Sequence, residues 1–223
     1  MSGNHENSSS PIRAVIFDYG QVLCSPPDDQ AIGLMASLLG VTPERFGQLY
    51  AVSRTAYDSG DLTAEQYWAL LADEAGATLT REQVDQLRNI DVKMWSNIRE
   101  SMLRWAAALR SNGIKTAVLS NMHGDMAHYV RTQTSWLANF DCIALSTELR
   151  LAKPDPAIYH YCLERLAVAP HEALFLDDRE QNVAAAQALG MKGIVAKGTS
   201  QIREKLQAMG FFPLPAWSQT LER

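Results

Sequence analysis

Four short polar elements occur in one order along the chain, and each comes after a short apolar run. They are Asp18, Ser120-Asn121, Lys153 and Asp177-Asp178. Each residue type alone is common in turns and at helix caps. Four such elements that all come after apolar runs instead indicate one site, built from a carboxylate, a hydroxyl, an ammonium group and a pair of carboxylates.

The chemistry of this set follows from its charges. Three carboxylates brought close together repel one another unless a cation neutralises them. Their hard oxygen ligands suit Mg²⁺. A carboxylate beside Mg²⁺ can attack a phosphoryl group and form an aspartyl-phosphate. The hydroxyl, the ammonium and backbone N–H groups would then hold the other phosphoryl oxygens. The set therefore predicts a small phosphorylated metabolite as the binding partner.

The apolar runs that precede these residues have the length of strands. They lack strict polar alternation, which is typical of parallel strands covered on both faces. Helical stretches lie between them, several closed by a glycine at the C-terminal cap position. Alternating strands and helices predict an α/β class with a Rossmann-like parallel sheet and helices on both faces. The predicted strands are 14–17, 114–119, 142–145, 173–176 and 193–196, and the helices are 101–111, 156–166 and 181–189.

One region breaks this alternation, because it holds helices without a convincing strand. Capping boxes begin at Thr63 and Thr80, and Pro43 stands at a first helical position. We predict an all-helical cap domain over residues 27–96, inserted after the first strand, where it can cover the carboxyl ends of the strands. Residues 11–26 and 97–223 would form the α/β core, after a flexible tail over residues 1–10.

Composition limits the other classes of partner. The 223 residues carry a formal net charge of −5 without a basic stripe, so we expect no nucleic-acid partner. Without an apolar run of ~18 residues or an apolar signal core, we expect no membrane association. The three widely spaced cysteines, Cys24, Cys142 and Cys162, favour reduced thiols and a cytoplasmic location. We expect a monomer or a small homo-oligomer.

Taken together, four motifs resemble those of the haloacid dehalogenase superfamily, in its subgroup with a helical C1-type cap. Most members of that superfamily are Mg²⁺-dependent phosphatases. The first motif, of the form FDxGxVL, is similar to that of the α-D-glucose-1-phosphate phosphatase-like subgroup. The motifs read IFDYGQVL, VLSN, AKPDPAIY and FLDDREQN, and they frame nearly the whole chain from Ile12 to about Gly210.

The resemblance implies catalytic roles for three residues. Asp18 would be the nucleophile. Ser120 and Lys153 would bind the phosphoryl group and assist the reaction. Asn121 would line the loop around the phosphate, as a substrate-binding residue.

The resemblance also implies the metal ligands. The carboxylates of Asp18, Asp177 and Asp178 would hold Mg²⁺ together with the backbone carbonyl of Gly20, a contact that needs no side chain. Asn182 would support the acidic pair from one helical turn away, or it would be an exposed helix amide; both interpretations stay open.

Gly20 departs from the commonest first motif of these phosphatases. There a second aspartate protonates the leaving group and later activates water, a contribution of ~10²–10⁴ in rate. Three interpretations stay open. In the first, the substrate has a good leaving group, such as an anomeric sugar phosphate. In the second, the acid comes from the cap or from solvent. In the third, catalysis is weak or absent, and the chain is mainly a module that binds a phosphorylated ligand or a protein.

A metal-free 2-haloacid dehalogenase is a further alternative. Those enzymes generally lack the paired acids of the fourth motif, because further carboxylates would hinder attack without a cation. Asp177-Asp178 therefore favours a phosphatase, as does the lack of an evident halide-binding arginine near the first motif.

The predicted cap and the second motif add less specific candidates. Arg54, Tyr57 and Asp58 precede a turn and would contact the substrate or would simply be solvated. His123 is interpreted as a surface loop histidine, with an auxiliary acid–base role as the alternative. Trp95 is predicted to pack in a core.

Overall fold

Five short apolar segments form a single parallel sheet in the computed structural model, which describes residues 11–215. All five predicted strands are present, so the α/β class is confirmed. Along the sheet the strand order is β3-β2-β1-β4-β5, with β1 in the centre. The strands are β1 (Ala14–Phe17), β2 (Lys115–Ser120), β3 (Cys142–Leu145), β4 (Ala173–Asp177) and β5 (Lys192–Val195).

The register of the sheet aligns the carboxyl ends of its three central strands. Phe17 at the end of β1 pairs with Val118 of β2 and Leu176 of β4. The N–H of Asp18 continues the ladder and donates to the carbonyl of Leu176 at 2.8 Å. The residues that follow these strands therefore meet at one edge, beside the point where the chain order reverses.

Helices cover both faces of the sheet, because side chains alternate along each strand. Val15 and Phe17 belong to the apolar cluster on one face, and Ala14 and Ile16 belong to the cluster on the other. All four side chains are fully buried. The helices of this part of the chain are α6 (Glu100–Ser111), α7 (Gly124–Thr132), α8 (Ser146–Leu149), α9 (Pro156–Leu166), α10 (Glu180–Ala188) and α11 (Thr199–Ala208).

Five further helices lie between β1 and α6 and pack around a third apolar cluster, which includes Met35, Phe46 and Trp68. Both predicted capping boxes form, since the side chains of Thr63 and Thr80 each exchange hydrogen bonds with a glutamine three residues later. These helices are α1 (Asp29–Leu38), α2 (Pro43–Ala51), α3 (Arg54–Asp58), α4 (Ala64–Ala75) and α5 (Arg81–Met94).

Polar contacts join these helices to the rest of the chain. Arg88 of α5 forms a two-pronged ion pair with Asp125 of α7, at 2.8 and 2.7 Å. The hydroxyl of Ser146 donates to the carbonyl of Asp58. No helix within residues 11–215 combines the length and the apolar character needed to cross a bilayer. The tail predicted at residues 1–10 lies outside the described residues.

Candidate active site

Asp18 stands at the end of the central strand, at the floor of a cavity of about 260 Å³. Its side chain is nearly buried, and its Oδ1 accepts the N–H of Tyr19 at 2.7 Å. Burial raises the pKa of Asp18, and the nearby carboxylates of Asp177 and Asp178 add to the rise, although Lys153 opposes it. Negative charge is therefore in excess here, and a further cation would relieve it.

Lys153 lies between two carboxylates beneath this cavity. Its Nζ is 2.8 Å from Oδ1 of Asp18 and 2.7 Å from Oδ2 of Asp177. Burial alone would lower the pKa of Lys153, but the two carboxylates raise it, so the ammonium stays charged. The ammonium of Lys153 holds the carboxylate of Asp18 in one orientation at the cavity.

The acidic pair after β4 divides into a buried and a partly exposed member. Asp177 is fully buried, and both its oxygens accept the amide of Asn182, at 3.1 and 3.0 Å. Asn182 is itself buried, so it supports the acidic pair and is not an exposed helix amide. Asp178 lines the cavity, and Gln21 donates to its Oδ2 at 2.7 Å.

These carboxylates are placed as a metal site requires. One oxygen from each of Asp18, Asp177 and Asp178 lies within 4.8 Å of the others. Gly20, which lines the same cavity, follows Asp18 in the turn. A set of hard, anionic oxygens with surplus negative charge fits a divalent cation such as Mg²⁺.

The loop after β2 forms the opposite wall. Ser120 and Asn121 both line the cavity with Lys153. The side chain of Asn121 donates to the carbonyl of Lys153 at 2.9 Å and accepts its N–H at 2.8 Å. This pair of hydrogen bonds connects the Asn121 side chain to the backbone of Lys153. It thereby fixes the distance between the Ser120 hydroxyl and the Lys153 ammonium.

The upper wall of the cavity is a group of polar residues from the helical region and one loop, which we call the roof cluster. Arg54 lies at its centre and pairs with Asp58 at 2.9 Å and with Asp91 at 3.2 Å. The guanidinium also lies 4.5 Å from the centroid of the Tyr50 ring. The roof cluster consists of Tyr50, Arg54, Asp58 and His123, which line the cavity, and of Asp91, which pairs with Arg54 behind the wall.

Arg54 and Asp58 line the cavity, whereas Tyr57 does not. Its ring is buried and is stacked between Tyr67 and His123, at 4.3 and 4.6 Å between centroids. A helix of five residues points its side chains in different directions, so adjacent residues of α3 cannot all face one cavity. Tyr57 therefore packs behind the wall.

The interpretation of His123 as a surface residue is wrong. Its side chain is fully buried and lines the cavity, because Tyr57 stacks on one face of the ring. Nε2 is 3.3 Å from Oδ2 of Asp91 but lies off the hydrogen-bond direction, and both ring nitrogens lack a partner within residues 11–215. Burial lowers the pKa of His123 to about 4, so the imidazole is neutral near pH 7.

Several cavity residues were not predicted from the sequence. Trp95 packs against two of the apolar clusters, as predicted, but it also lines the cavity and donates its indole N–H to the Tyr50 hydroxyl at 3.1 Å. Asp91, which does not line the cavity but pairs with Arg54 behind its wall, carried a usable signal, since it shares the apolar face of α5 with Leu87 and Met94. A carboxylate on an apolar helix face indicates a buried, paired charge.

Comparison with known proteins agrees with this geometry. Residues 12–190 match the family described as haloacid dehalogenase-like hydrolases. The sesquiterpene phosphatase astK of Aspergillus oryzae is 27% identical over 190 residues, which cover 82% of this chain and 88% of that protein. (S)-2-haloacid dehalogenase 1 of a Pseudomonas species is 26% identical over 195 residues, which cover 82% and 84%.

Acyl-CoA dehydrogenase family member 10 of mouse is 29% identical over 227 residues, which cover 91% of this chain. The chain spans only 19% of the length of that relative. A HAD family enzyme of Bacteroides thetaiotaomicron, solved with magnesium and inorganic phosphate, has the same fold, with a TM-score of 0.67 and 22% identity over 83% of this chain and 94% of that one. The family match covers most of the sequence and includes all four polar elements of the site. The chain therefore belongs to the haloacid dehalogenase-like hydrolases.

Proposed function

We propose that this hydrolase is a Mg²⁺-dependent phosphatase that acts on a small phosphorylated metabolite, a sugar phosphate. The observation that carries the proposal is the convergence of Asp18, Lys153 and the Asp177-Asp178 pair on one cavity floor. A nucleophile, a fixed ammonium and a cation-demanding carboxylate cluster are the parts that phosphoryl transfer to a carboxylate needs. We keep the cytoplasmic location as a prediction.

In the proposed reaction, a carboxylate oxygen of Asp18 attacks phosphorus while the bond from phosphorus to the ester oxygen breaks. The leaving oxygen takes a proton from solvent. Water then attacks the phosphorus of the aspartyl-phosphate and releases inorganic phosphate, which restores Asp18. Lys153 and the Ser120 hydroxyl hold phosphoryl oxygens, and Asn121 keeps their loops in register. Bound Mg²⁺, held by the three carboxylates and the Gly20 carbonyl, would neutralise charge shared by nucleophile and phosphate.

The absence of an acid at Gly20 favours substrates whose leaving oxygen needs little protonation. A hemiacetal oxygen of an anomeric sugar phosphate, or an aryl oxygen, leaves more easily than a primary alkoxide. We therefore expect rapid hydrolysis of aryl and anomeric phosphates and slow hydrolysis of primary-alcohol phosphates.

Metal-free dehalogenation is the second candidate, because haloacid dehalogenases are among the similar proteins. The carboxylate cluster argues against it. Without a cation, burial raises the pKa of Asp18, and the charges of Asp177 and Asp178 add to the rise and oppose its attack as an anion. A non-catalytic phosphate-binding or protein-binding module is the third candidate, motivated by Gly20.

Product analysis separates these three candidates. The protein is incubated with aryl, anomeric and primary-alcohol phosphates and with 2-haloacids, each with Mg²⁺ or with a chelator. We expect release of phosphate from the first two classes, only with Mg²⁺. Halide release that survives the chelator would establish the dehalogenase instead. Mg²⁺-dependent binding of phosphate esters without any product would establish the binding module.

A further inference from the structure

The guanidinium of Arg54, on the upper wall of the cavity, is already neutralised by neighbouring carboxylates. Arg54 forms ion pairs with Asp58 and Asp91, which lie on two different helices. The Tyr50 hydroxyl donates to the second oxygen of Asp91 at 2.5 Å. The side chain of Arg54 is only 14% exposed. Its guanidinium is therefore held in place by carboxylates and an aromatic ring, and it has little charge left to attract an anionic ligand.

Charge across the whole cavity leads to the same conclusion. Within the described residues, the cations that line it are Arg54, Lys153 and Arg179. Lys153 is shared between Asp18 and Asp177 on the floor. The carboxylates in or directly behind the wall outnumber these cations, and they are Asp18, Asp58, Asp91, Asp177 and Asp178.

A bound divalent cation brings this balance to neutrality, and the phosphate dianion of a substrate then makes it negative again. A second anionic group on the same substrate would meet no surplus of positive charge in the cavity. Arg179 stands at the exposed rim, where water and salt screen its charge. The neutral imidazole of His123 adds no cation near pH 7.

Asp58 supplies a feature of the roof cluster that suits an uncharged, hydroxyl-bearing group. Its Oδ1 accepts the Nε–H of Arg54, while Oδ2 has no hydrogen-bond donor within residues 11–215. The residue lines the cavity, and its side chain is 12% exposed. A carboxylate oxygen held in place and facing a cavity is a good acceptor for a sugar hydroxyl, and it repels an anion.

We propose that the roof cluster selects phosphate esters whose distal part is uncharged and hydroxylated, with Asp58 as the hydroxyl acceptor, and rejects esters that carry a second anionic group. This inference rests on the proposed phosphatase function and decides which class of ester the enzyme accepts. Arg54, which in isolation would suggest a distal phosphate or carboxylate, acts instead as the residue that positions Asp58.

A matched pair of substrates tests the inference. α-D-glucose 1-phosphate and α-D-glucuronic acid 1-phosphate share the leaving oxygen and differ only in a distal hydroxymethyl or carboxylate. We expect kcat/KM of the wild type to be at least tenfold higher for the uncharged member. In Asp58→Asn the ratio should fall to about threefold or less, since part of the Arg54 charge is freed. Asp58→Glu should restore the ratio.

Asp61→Asn is the control, because it removes an exposed carboxylate three residues away whose side chain is 70% exposed. Its ratio should equal that of the wild type. Equal or better turnover of the charged member by the wild type would overturn the inference. So would an unchanged ratio in a folded Asp58→Asn variant. If neither ester is hydrolysed with Mg²⁺, the proposed function fails, and the same two compounds are compared by calorimetric binding, where a tenfold difference in Kd supports the inference and equal Kd values overturn it.

Discussion

At the scale of single residues, no steric requirement explains the glycine at position 20. Its backbone angles, φ −60° and ψ 127°, are ones that any L-residue adopts. A Cβ atom here would lie 3.8 Å from Trp95 and 3.9 Å from Oδ2 of Asp18, which is ordinary contact. An aspartate side chain would therefore extend into the cavity without strain in the turn.

The first prediction is that Gly20→Asp gains activity on poor leaving groups. A carboxylic acid beside the leaving oxygen would protonate it, so kcat for primary-alcohol phosphates should rise at least tenfold, within the ~10²–10⁴ typical of general acid catalysis. Aryl phosphates should change little. Steady-state kinetics on both classes measure the effect. Gly20→Asn is the matched control, and an equal gain in that variant would contradict the acid–base explanation.

Two roof residues contribute to the pH dependence of stability in opposite directions. The pKa of His123 is lowered from 6.5 to about 4 by burial, so between these values the unfolded chain binds a proton that the folded protein does not. Stability therefore falls as the pH drops through this window. Burial raises the pKa of Asp58 to about 6, although Arg54 opposes the rise. Asp58 therefore favours folding as the pH drops from 6 to about 4.

The second prediction concerns His123→Gln, which removes the acid-sensitive group. Lowering the pH from 7 to 5 should reduce the free energy of unfolding of the wild type by about 2 kcal/mol more than it reduces that of His123→Gln. Urea unfolding at the two pH values measures it. Asp58→Asn should shift the comparison the other way. Wild-type acid sensitivity in His123→Gln would show that this histidine is protonated in the folded protein.

Site residues at strand ends were predictable from the sequence, whereas contacts between residues on different helices were not. Asp18, Ser120 and Asp177 come directly after apolar runs, and the geometry of a parallel sheet brings such residues together. Tyr50 and Asp91 lie on separate helices 41 positions apart. Their meeting depends on how α2 and α5 pack against the core, which no local pattern encodes.

At the scale of elements, α8 links the roof cluster to the loop after β2. Ser146 begins this short helix, and its hydroxyl accepts the N–H of Met122 at 3.0 Å. The same hydroxyl donates to the carbonyl of Asp58. One buried side chain thus connects α3, which carries Arg54 and Asp58, to the loop that follows Ser120 at the end of β2.

The third prediction is that Ser146→Ala weakens this connection. It would leave a buried N–H and a carbonyl without their partner, so the free energy of unfolding should fall by about 1–3 kcal/mol. KM for the best ester should rise more than kcat falls, because α3 would no longer be fixed over the cavity. Ser96→Ala is the control, because it removes a partly exposed serine whose hydroxyl donates to the Lys93 carbonyl. Equal losses in both variants would count against the link.

Among the elements, those with strong local signals were predicted and weaker ones were missed. The capping boxes at Thr63 and Thr80 and the proline at position 43 marked the starts of α4, α5 and α2. Helices α7 and α11 were not predicted. Neither has a side-chain cap, and α7 begins at a glycine. The spacing of their apolar residues, such as Met126 and Val130, identifies these helices only once the sheet that they pack against is known.

At the scale of the whole molecule, the carboxylate cluster would couple the binding of a metal ion to folding. The three acids converge only when β1 and β4 are paired, so the unfolded chain lacks the site. Without a cation, burial and mutual repulsion raise the pKa of Asp18 and Asp178, which marks stored unfavourable charge. A cation that binds only the folded state must stabilise it.

The fourth prediction is that Mg²⁺ raises the Tm of the wild type in a concentration-dependent way. At a hundredfold excess over Kd, linkage gives about 2.7 kcal/mol. Asp178→Asn should lose most of this response, and it should be at least as stable as the wild type in chelator, because one repelling charge is gone. Differential scanning calorimetry with and without Mg²⁺ measures both. A full Mg²⁺ response in Asp178→Asn would place the metal elsewhere.

The sheet, its class and the floor of the site could be predicted from the sequence because parallel pairing turns sequence order into position. The charge balance of the cavity could not, since it depends on which carboxylates face Arg54. The sequence left open whether Arg54 binds an anion, and its contacts with Asp58 and Asp91 are what support the proposal that it does not.

The most direct test of the account is phosphate release from an aryl phosphate by the wild type and Asp18→Asn, each with Mg²⁺ and with a chelator. We predict turnover only for the wild type with Mg²⁺, and a loss of at least about a thousandfold in kcat for Asp18→Asn. Circular dichroism of both proteins controls for folding. Mg²⁺-dependent turnover by folded Asp18→Asn at the wild-type rate would contradict the central claim, that Asp18 is the nucleophile of a phosphatase.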